Sequence, residues 1–219
     1  MTKRLGIAEA LREAIAEEME RDESVFCIGE DIAIPGGWGG AFTVTLNLEQ
    51  KFPDRMLNTP IAELGLFGVA CGAAMMGMRP IADVQYGDFL LLPMDQIVNN
   101  IAKMRYMSGG QVSLPIVFRG PNGPAEYLAA QHSQALQSIF AHIPGLKVVA
   151  PATPYDAKGL LKTAIRDDNP VLFLEGELMY AWKGEVPEEP YLIPFGEADV
   201  KRPGKDVTLV TYAKPLRVV

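Results

Sequence analysis

Glu63 opens the stretch "ELGLFGVACGAAMMGM", in which no charge follows from Leu64 through Met78. An acid in the first turn of a helix gains about 0.3–1 kcal/mol from the helix dipole, and position alone demands no more than that. The residues behind it allow a second reading. Gly65, Gly68, Ala70, Gly72, Ala73, Ala74 and Gly77 cover the helix in small side chains, although each glycine in a helix interior costs about 1 kcal/mol against alanine. Close approach of another helix or of a cofactor offsets that cost. A carboxylate at such a site is poorly solvated and able to share a proton with a ligand nitrogen. Of the two histidines, His132 in "AAQHSQ" falls at a loop-to-helix junction and is the better catalytic candidate. His142, at a helix end before "IPG", is explained by the helix C-terminal dipole. Cys27 and Cys71 have apolar neighbours and no metal-ligand spacing, so they read as buried thiols. No Ser-His-Asp order, zinc spacing or Walker-type loop is present. "YGDF" begins like a Gly-Asp-Gly diphosphate-and-magnesium motif, but Phe89 stands where the second glycine belongs. From spacing alone the sequence supports an α/β enzyme or enzyme subunit, with no specific reaction.

The elements around these residues alternate. Ile7, Leu11, Ile15 and Met19 recur every four residues and predict an amphipathic helix with its acids outward. "SVFCIG" reads as a short buried strand, and "PGGWGG" as a glycine-rich loop suited to lie against a ligand or partner. Strand-like "RPIADVQY" precedes a helical pattern from Met94 to Met107, followed by strand "PIVFRG". A helix from about Ser133 to His142, strand "LKVVAP", a helix from Pro154 to Arg166 and strand "VLFLEG" complete the series. Thr153 before Pro154 is a strong helix start, a capping hydroxyl with proline at the first helical position. Short apolar strands alternating with helices predict an α/β fold, a parallel sheet covered by helices on both faces. Beyond Gly176 the chain turns rich in Pro, Gly and charge, and "VTLVTY" then resembles the first strand of an incomplete second α/β domain. The expected division is residues 1–180 as the main domain, 181–205 as a linker or extended arm, and 206–219 as that first strand.

Composition narrows the class. The chain has 219 residues, 48% hydrophobic and 21% charged, enough for one full core and against disorder. Its formal net charge is −7 and no run of Lys or Arg forms a stripe, which argues against nucleic acid or an anionic membrane surface as main partner. The uncharged run at Leu64–Met78 is shorter than the roughly 18–20 residues of a membrane span, and the N-terminus becomes charged too early for a signal peptide. The expectation is a cytoplasmic globular protein.

Six ordered blocks carry a resemblance: "NTPIAELGLFGVACGAAMMGMRPI", "MDQIVNNIAKMRYMSGG", "PIVFRGPNG", "AAQHSQ", "PGLKVVAPATPYDAKGLL" and "IRDDNPVLFLE". Together they resemble the β subunit of the thiamine-diphosphate-dependent decarboxylating component of 2-oxo acid dehydrogenase complexes, over essentially the whole chain. The resemblance implies a thiamine-diphosphate-binding fold whose pyrimidine domain lies in residues 1–180. A separate α subunit would carry the diphosphate and Mg2+, which fits the missing second glycine of "YGDF". It implies that Glu63 meets the aminopyrimidine ring nitrogen, that Phe89 packs on that ring, and that His132 faces substrate and helps pass the acyl group to lipoamide. Glu30 in "GED" matches an acid near the cofactor, and Ile116, Ala164, Ile165, Asp167 and Asn169 match positions that bind K+ in some members. A polar helix terminus and turn explains "IRDDNP" equally well. The implied partners are an α subunit, in an assembly of two α and two β chains, a lipoyl-bearing acyltransferase core and a 2-oxo acid.

Pyruvate is the first substrate reading, with acetoin or a branched-chain 2-oxo acid as alternatives; a transketolase-type synthase fits less well, since such chains combine both cofactor domains. Members of the family run longer, with a C-terminal domain for dimerisation and docking. The competing class is therefore a shortened, non-catalytic β-like interaction subunit, against which the presence of Glu63, Phe89 and His132 counts.

Overall fold

The computed structural model describes residues 1–125 and 127–219. Six parallel strands form one sheet: β2 (Val25–Gly29), β3 (Met56–Asn58), β4 (Arg79–Asp83), β5 (Val117–Asn122), β6 (Lys147–Val149) and β7 (Val171–Gly176), in the order β3-β2-β4-β5-β7-β6. Because successive side chains point to opposite faces, each strand feeds two cores. Val25, Cys27, Ile81, Val117 and Phe173 pack with α1 (Ile7–Arg21) and α6 (Pro154–Arg166). Phe26, Ile28, Ala82, Phe118 and Leu172 pack on the other face with α3 (Glu63–Met75), a π-helical turn at Gln96–Ile101 that continues into α4 (Ala102–Met107), and α5 (Gln137–Ala141). Phe67 stacks on Phe118 at 4.5 Å in this second core. The parallel sheet covered on both faces is as expected.

The start of α6 follows its sequence signature: the Thr153 hydroxyl accepts from the Asp156 backbone N–H at 3.1 Å, the Asp156 carboxylate accepts from the Thr153 N–H at 3.1 Å, and Pro154 fills the first turn. In α1 the outward placement of the acids needs correction. Glu18 is fully buried, and Glu13 and Glu17 turn toward α6, where the buried Lys158 donates to both at 3.0 and 2.6 Å. Lys162 and Arg166 complete the seam, with Arg166 forked on Glu18 at 2.7 and 2.9 Å. The bases of α6 make the acids an inner face.

Three further expectations change. The helix expected from Ser133 to His142 shortens to α5, and His132 ends a single 3-10 turn at Ala130–His132. Asp88 accepts from the backbone and side-chain amides of Gln134, and Asn122 accepts from the Leu136 N–H, so the segment is tied to neighbouring elements instead of coiling on itself. Within the expected arm, β8 (Lys183–Pro187) pairs antiparallel with β1 (Thr2–Gly6), a ribbon joining the chain's first residues to its later ones. The next residues lie on α6: Tyr191 stacks on Tyr155 at 4.6 Å, and Thr163 donates to the Ile193 carbonyl at 2.7 Å. Among the described residues Val207–Tyr212 joins no ladder, and Val207, Leu209, Val210 and Tyr212 are exposed. A short helix, α2 (Leu48–Lys51), closes the long connection after β2. Among the described residues no helix is long and apolar enough to cross a membrane.

Candidate active site

In a parallel sheet the crevice outside the carboxyl ends of the strands is where ligands are bound. β2 ends into Glu30, β3 into Thr59, β4 into Gln85 and Tyr86, and α3 begins there with Glu63. Glu30, Thr59, Pro60, Ala62, Glu63, Leu66, Asp83, Val84 and Gln85 together line a concavity. The two candidate acids thus share one wall. Burial raises the Glu30 carboxyl above its ordinary range, and the nearby charges of Asp31 and Glu63 push in the same direction. Among the described residues the Thr59 hydroxyl oxygen is the one buried side-chain polar atom without a hydrogen-bond partner, and it belongs to this crevice. A buried unpaired hydroxyl is costly unless something supplies the missing partner.

Phe89 and His132 form a second group and do not line that concavity. Their ring centroids are 5.3 Å apart, and Tyr86 packs edge-on against both, at 5.7 Å from Phe89 and 4.4 Å from His132. Phe42, from the glycine-rich connection, meets Tyr86 at 6.0 Å and stacks on Tyr180 at 4.6 Å. The close passage of Gly87 along β5 makes this possible: a Cβ there would stand 2.8 Å from the Pro121 carbonyl. Gln85 and Tyr86 are consecutive, so one turn after β4 serves both groups.

Beneath the crevice lies a buried ionic cluster, Asp83, Arg119 and Glu175, none of them among the sequence candidates. Arg119 donates to Glu175 through Nε at 2.6 Å and through a second nitrogen, and to Asp83; Tyr180 donates to Glu175 at 2.5 Å. Burial opposes the Arg119 charge, but Asp83 and Glu175 hold it protonated well above its ordinary range. Burial pushes the Asp83 carboxyl up to about 6, against the pull of Arg119 and with the help of Glu175. Nearby, burial and then Asp88 lift Glu177 to about 7, and Glu177 is buried. The available signal was a charged residue set into each of the apolar strands "RPIAD", "VFRGPN" and "VLFLEG".

The K+ candidates gather at one corner, where the end of α6 meets the start of β5. The Ile116 carbonyl accepts from Val171, the Ala164 carbonyl from Asp167, and the Ile165 and Asp167 carbonyls from Arg79 at 3.1 and 3.2 Å. The Asp167 carboxylate accepts from Asn169 at 2.9 Å and from Lys147. Among the described residues no three His, Cys, Asp or Glu side chains are grouped to hold a metal ion.

The profile of a known family, the transketolase pyrimidine-binding domain, matches residues 3–183. The chain belongs to that family. The resemblance drawn from the six blocks is borne out by its relatives. An acetoin:2,6-dichlorophenolindophenol oxidoreductase subunit beta of Cupriavidus necator is 52% identical over 97% of this chain and 65% of that protein. A pyruvate dehydrogenase E1 component subunit beta of Rickettsia conorii is also 52% identical, over 95% of this chain and 64% of that protein. The chain therefore spans a little under two thirds of the length of these relatives. A solved structure described as a split-gene transketolase, an inactive β4 tetramer, superposes with a TM-score of 0.64 over 79% of this chain and 51% of that chain. At 22% identity that likeness bears on the fold of the family alone.

Proposed function

We propose that this chain supplies the pyrimidine half of a thiamine-diphosphate site, as the β subunit of a 2-oxo acid dehydrogenase component with pyruvate as first substrate. The observation that carries the reading is the acid crevice, where Glu63 and Glu30 share a wall with an orphaned buried hydroxyl. That donor set fits an aminopyrimidine: an acid for its ring nitrogen and a free hydroxyl for a polar edge. When bound, the cofactor supplies a nucleophilic carbon and holds the electrons released with CO2. Glu63 hydrogen-bonds the ring nitrogen and shares a proton with it. Glu30 stands on the same wall, where burial and then the charges of Asp31 and Glu63 disfavour its ionised form. Phe89 presents an apolar face to the ring, and His132, held against Tyr86, faces the substrate and assists acyl transfer to a lipoyl group on an acyltransferase core.

The diphosphate and Mg2+ would be held by an α subunit, in an assembly of two α and two β chains. Support for that partner comes from α3. Among the described residues a Cβ at Gly68 or Gly72 would meet no group within 4 Å outside its own helix backbone, and Leu64, Val69 and Met76 are exposed beside them. Small residues there are unexplained by packing within the chain and suit close approach by another. We assign residues 1–180 to the pyrimidine domain, 181–205 to an arm and 206–219 to the beginning of a further domain. Mixing the chain with an α subunit, thiamine diphosphate and Mg2+ is expected to give 2-oxo acid decarboxylation that neither chain shows alone. Activity of the isolated chain, or none with any α partner, would contradict the reading. Acetoin remains the second substrate, since the acetoin relative matches at the same 52% identity; the ratio of turnover on pyruvate and acetoin decides between them.

We also assign the corner at Ile116, Ala164, Ile165, Asp167 and Asn169 to K+. Each carbonyl oxygen there has a second lone pair beyond the hydrogen bond it accepts. Melting of the chain in KCl is expected a few degrees above melting in NaCl at equal ionic strength. Coincident curves would leave Arg79 and Lys147 as the corner's cations.

A further inference from the structure

The connection between β2 and α2 is hard to hold in one shape. Gly36, Gly39 and Gly40 all have φ near +70°, and the non-glycine residues Asp31, Thr43 and Asn47 are also left-handed. Glycine loses more conformational freedom on ordering than any other residue, so such a loop needs anchors. One side chain supplies two of them. The Gln85 amide donates to the Glu30 carbonyl at 2.7 Å and accepts from the Ala41 N–H at 3.2 Å. It thereby ties the loop's first residue to the residue just past its last glycine. Gln85 also stands where two concavities meet: it lines the acid crevice and a second one, walled by Gly39, Gly40, Ala41, Phe42, Asp83 and Arg119 among others.

We infer that Gln85 is a positioning residue, a clasp that fixes the glycine-rich loop and the backbone of Glu30 so that the crevice beside Glu63 keeps its shape for the pyrimidine. The inference rests on the function proposed above for what enters the crevice, but the clasp itself is a property of this chain. A merely structural glutamine would change melting and nothing local; a clasp changes the loop and the cofactor's affinity, with little effect on the rate once cofactor saturates.

The test uses Gln85→Leu, which removes both hydrogen bonds at similar volume, and Gln85→Glu, which keeps the acceptor for Ala41 and loses the donor to Glu30. Amide hydrogen exchange is read on the full chain, and the thiamine diphosphate concentration giving half-maximal activity is read in the assembly with an α subunit. For Gln85→Leu we expect exchange at Ala41 about tenfold faster, half-saturation at about tenfold more cofactor, and a saturated rate within about twofold of the parent. Gln85→Glu is expected to keep the Ala41 protection and to show a smaller rise in half-saturation. Unchanged exchange at Ala41 in Gln85→Leu overturns the clasp. Faster exchange with unchanged half-saturation overturns its positioning role. A parent assembly with no cofactor-dependent activity sinks the functional reading and this role with it, and is told apart because the exchange result still judges the clasp.

Discussion

Glu63→Gln is expected to lower 2-oxo acid turnover of the assembled enzyme by about 10²–10⁴-fold while leaving the fold and subunit assembly intact. Glutamine has nearly the shape of glutamate and can still hydrogen-bond, but it cannot supply the proton that a ring nitrogen takes up. Glu63 is half-buried at the first position of α3, and its side chain makes no hydrogen bond to the described chain, so its loss leaves no partner stranded. If it served only the helix dipole, the change would cost at most about 1 kcal/mol of stability and no activity. The comparison is therefore between two readouts on one variant: turnover with saturating thiamine diphosphate and Mg2+, and melting temperature. A large loss in the first with little change in the second supports the proton role. The reverse pattern supports the dipole.

The second large effect concerns stability. Arg119→Met leaves Asp83 and Glu175 facing each other without their cation, in a place where all three groups are buried. Breaking a buried pair from one side typically costs about 3–5 kcal/mol, and that is the loss expected in denaturant unfolding at pH 8. The pH dependence has a definite sign. Asp83 rises from 3.8 to about 6 on folding, so between those values the folded chain holds a proton that the unfolded chain has released. Stability from this group is greatest below that window and falls as pH rises through it. Removing Arg119 takes away the charge that lowers Asp83, so the variant should recover part of its deficit on acidification to about pH 5. Adding Glu175→Gln to Arg119→Met should restore some stability at pH 8, because one fewer uncompensated charge stays buried. A deficit below about 1 kcal/mol at both pH values would mean that the cluster contributes no electrostatic stability.

What could be read from the sequence was local or was carried by whole blocks. The four-residue spacing of Ile7, Leu11, Ile15 and Met19 and the Thr153-Pro154 start place α1 and α6, because those signals act within a turn or two. The ribbon of β1 and β8 was not legible, since Thr2–Gly6 finds its partner at Lys183–Pro187 and neither segment alternates. Residues 133–136 have helical composition, but the hydrogen bonds that Gln134 and Leu136 donate to Asp88 and Asn122 outweigh that propensity. "VTLVTY" has the β-branched composition of a strand, yet a strand forms only beside another. The acids of α1 read as outward in sequence because the bases that draw them in lie on α6, far along the chain.

The site divides in the same way. Glu63 and Glu30 are separated by loops in sequence, and only the fold brings both to one crevice. Phe89 and His132 meet through Tyr86, which no spacing rule would select. The Thr59 hydroxyl has no partner and Gln85 acts through two contacts with distant backbone, so they leave no pattern to read. Asp83, Arg119 and Glu175 did leave one, a charge set into each apolar strand, and a charge in a buried strand signals a buried partner.

The role proposed for Glu63 is to exchange a proton with the pyrimidine of thiamine diphosphate. The measurement closest to it is the rate at which the thiazolium ring proton between sulfur and nitrogen is replaced by solvent deuterium, followed by rapid quench and NMR with the cofactor bound to the assembled enzyme. Rapid exchange is expected in the parent, and exchange slowed by at least about 10²-fold in Glu63→Gln. Equal exchange rates in the two proteins would contradict it.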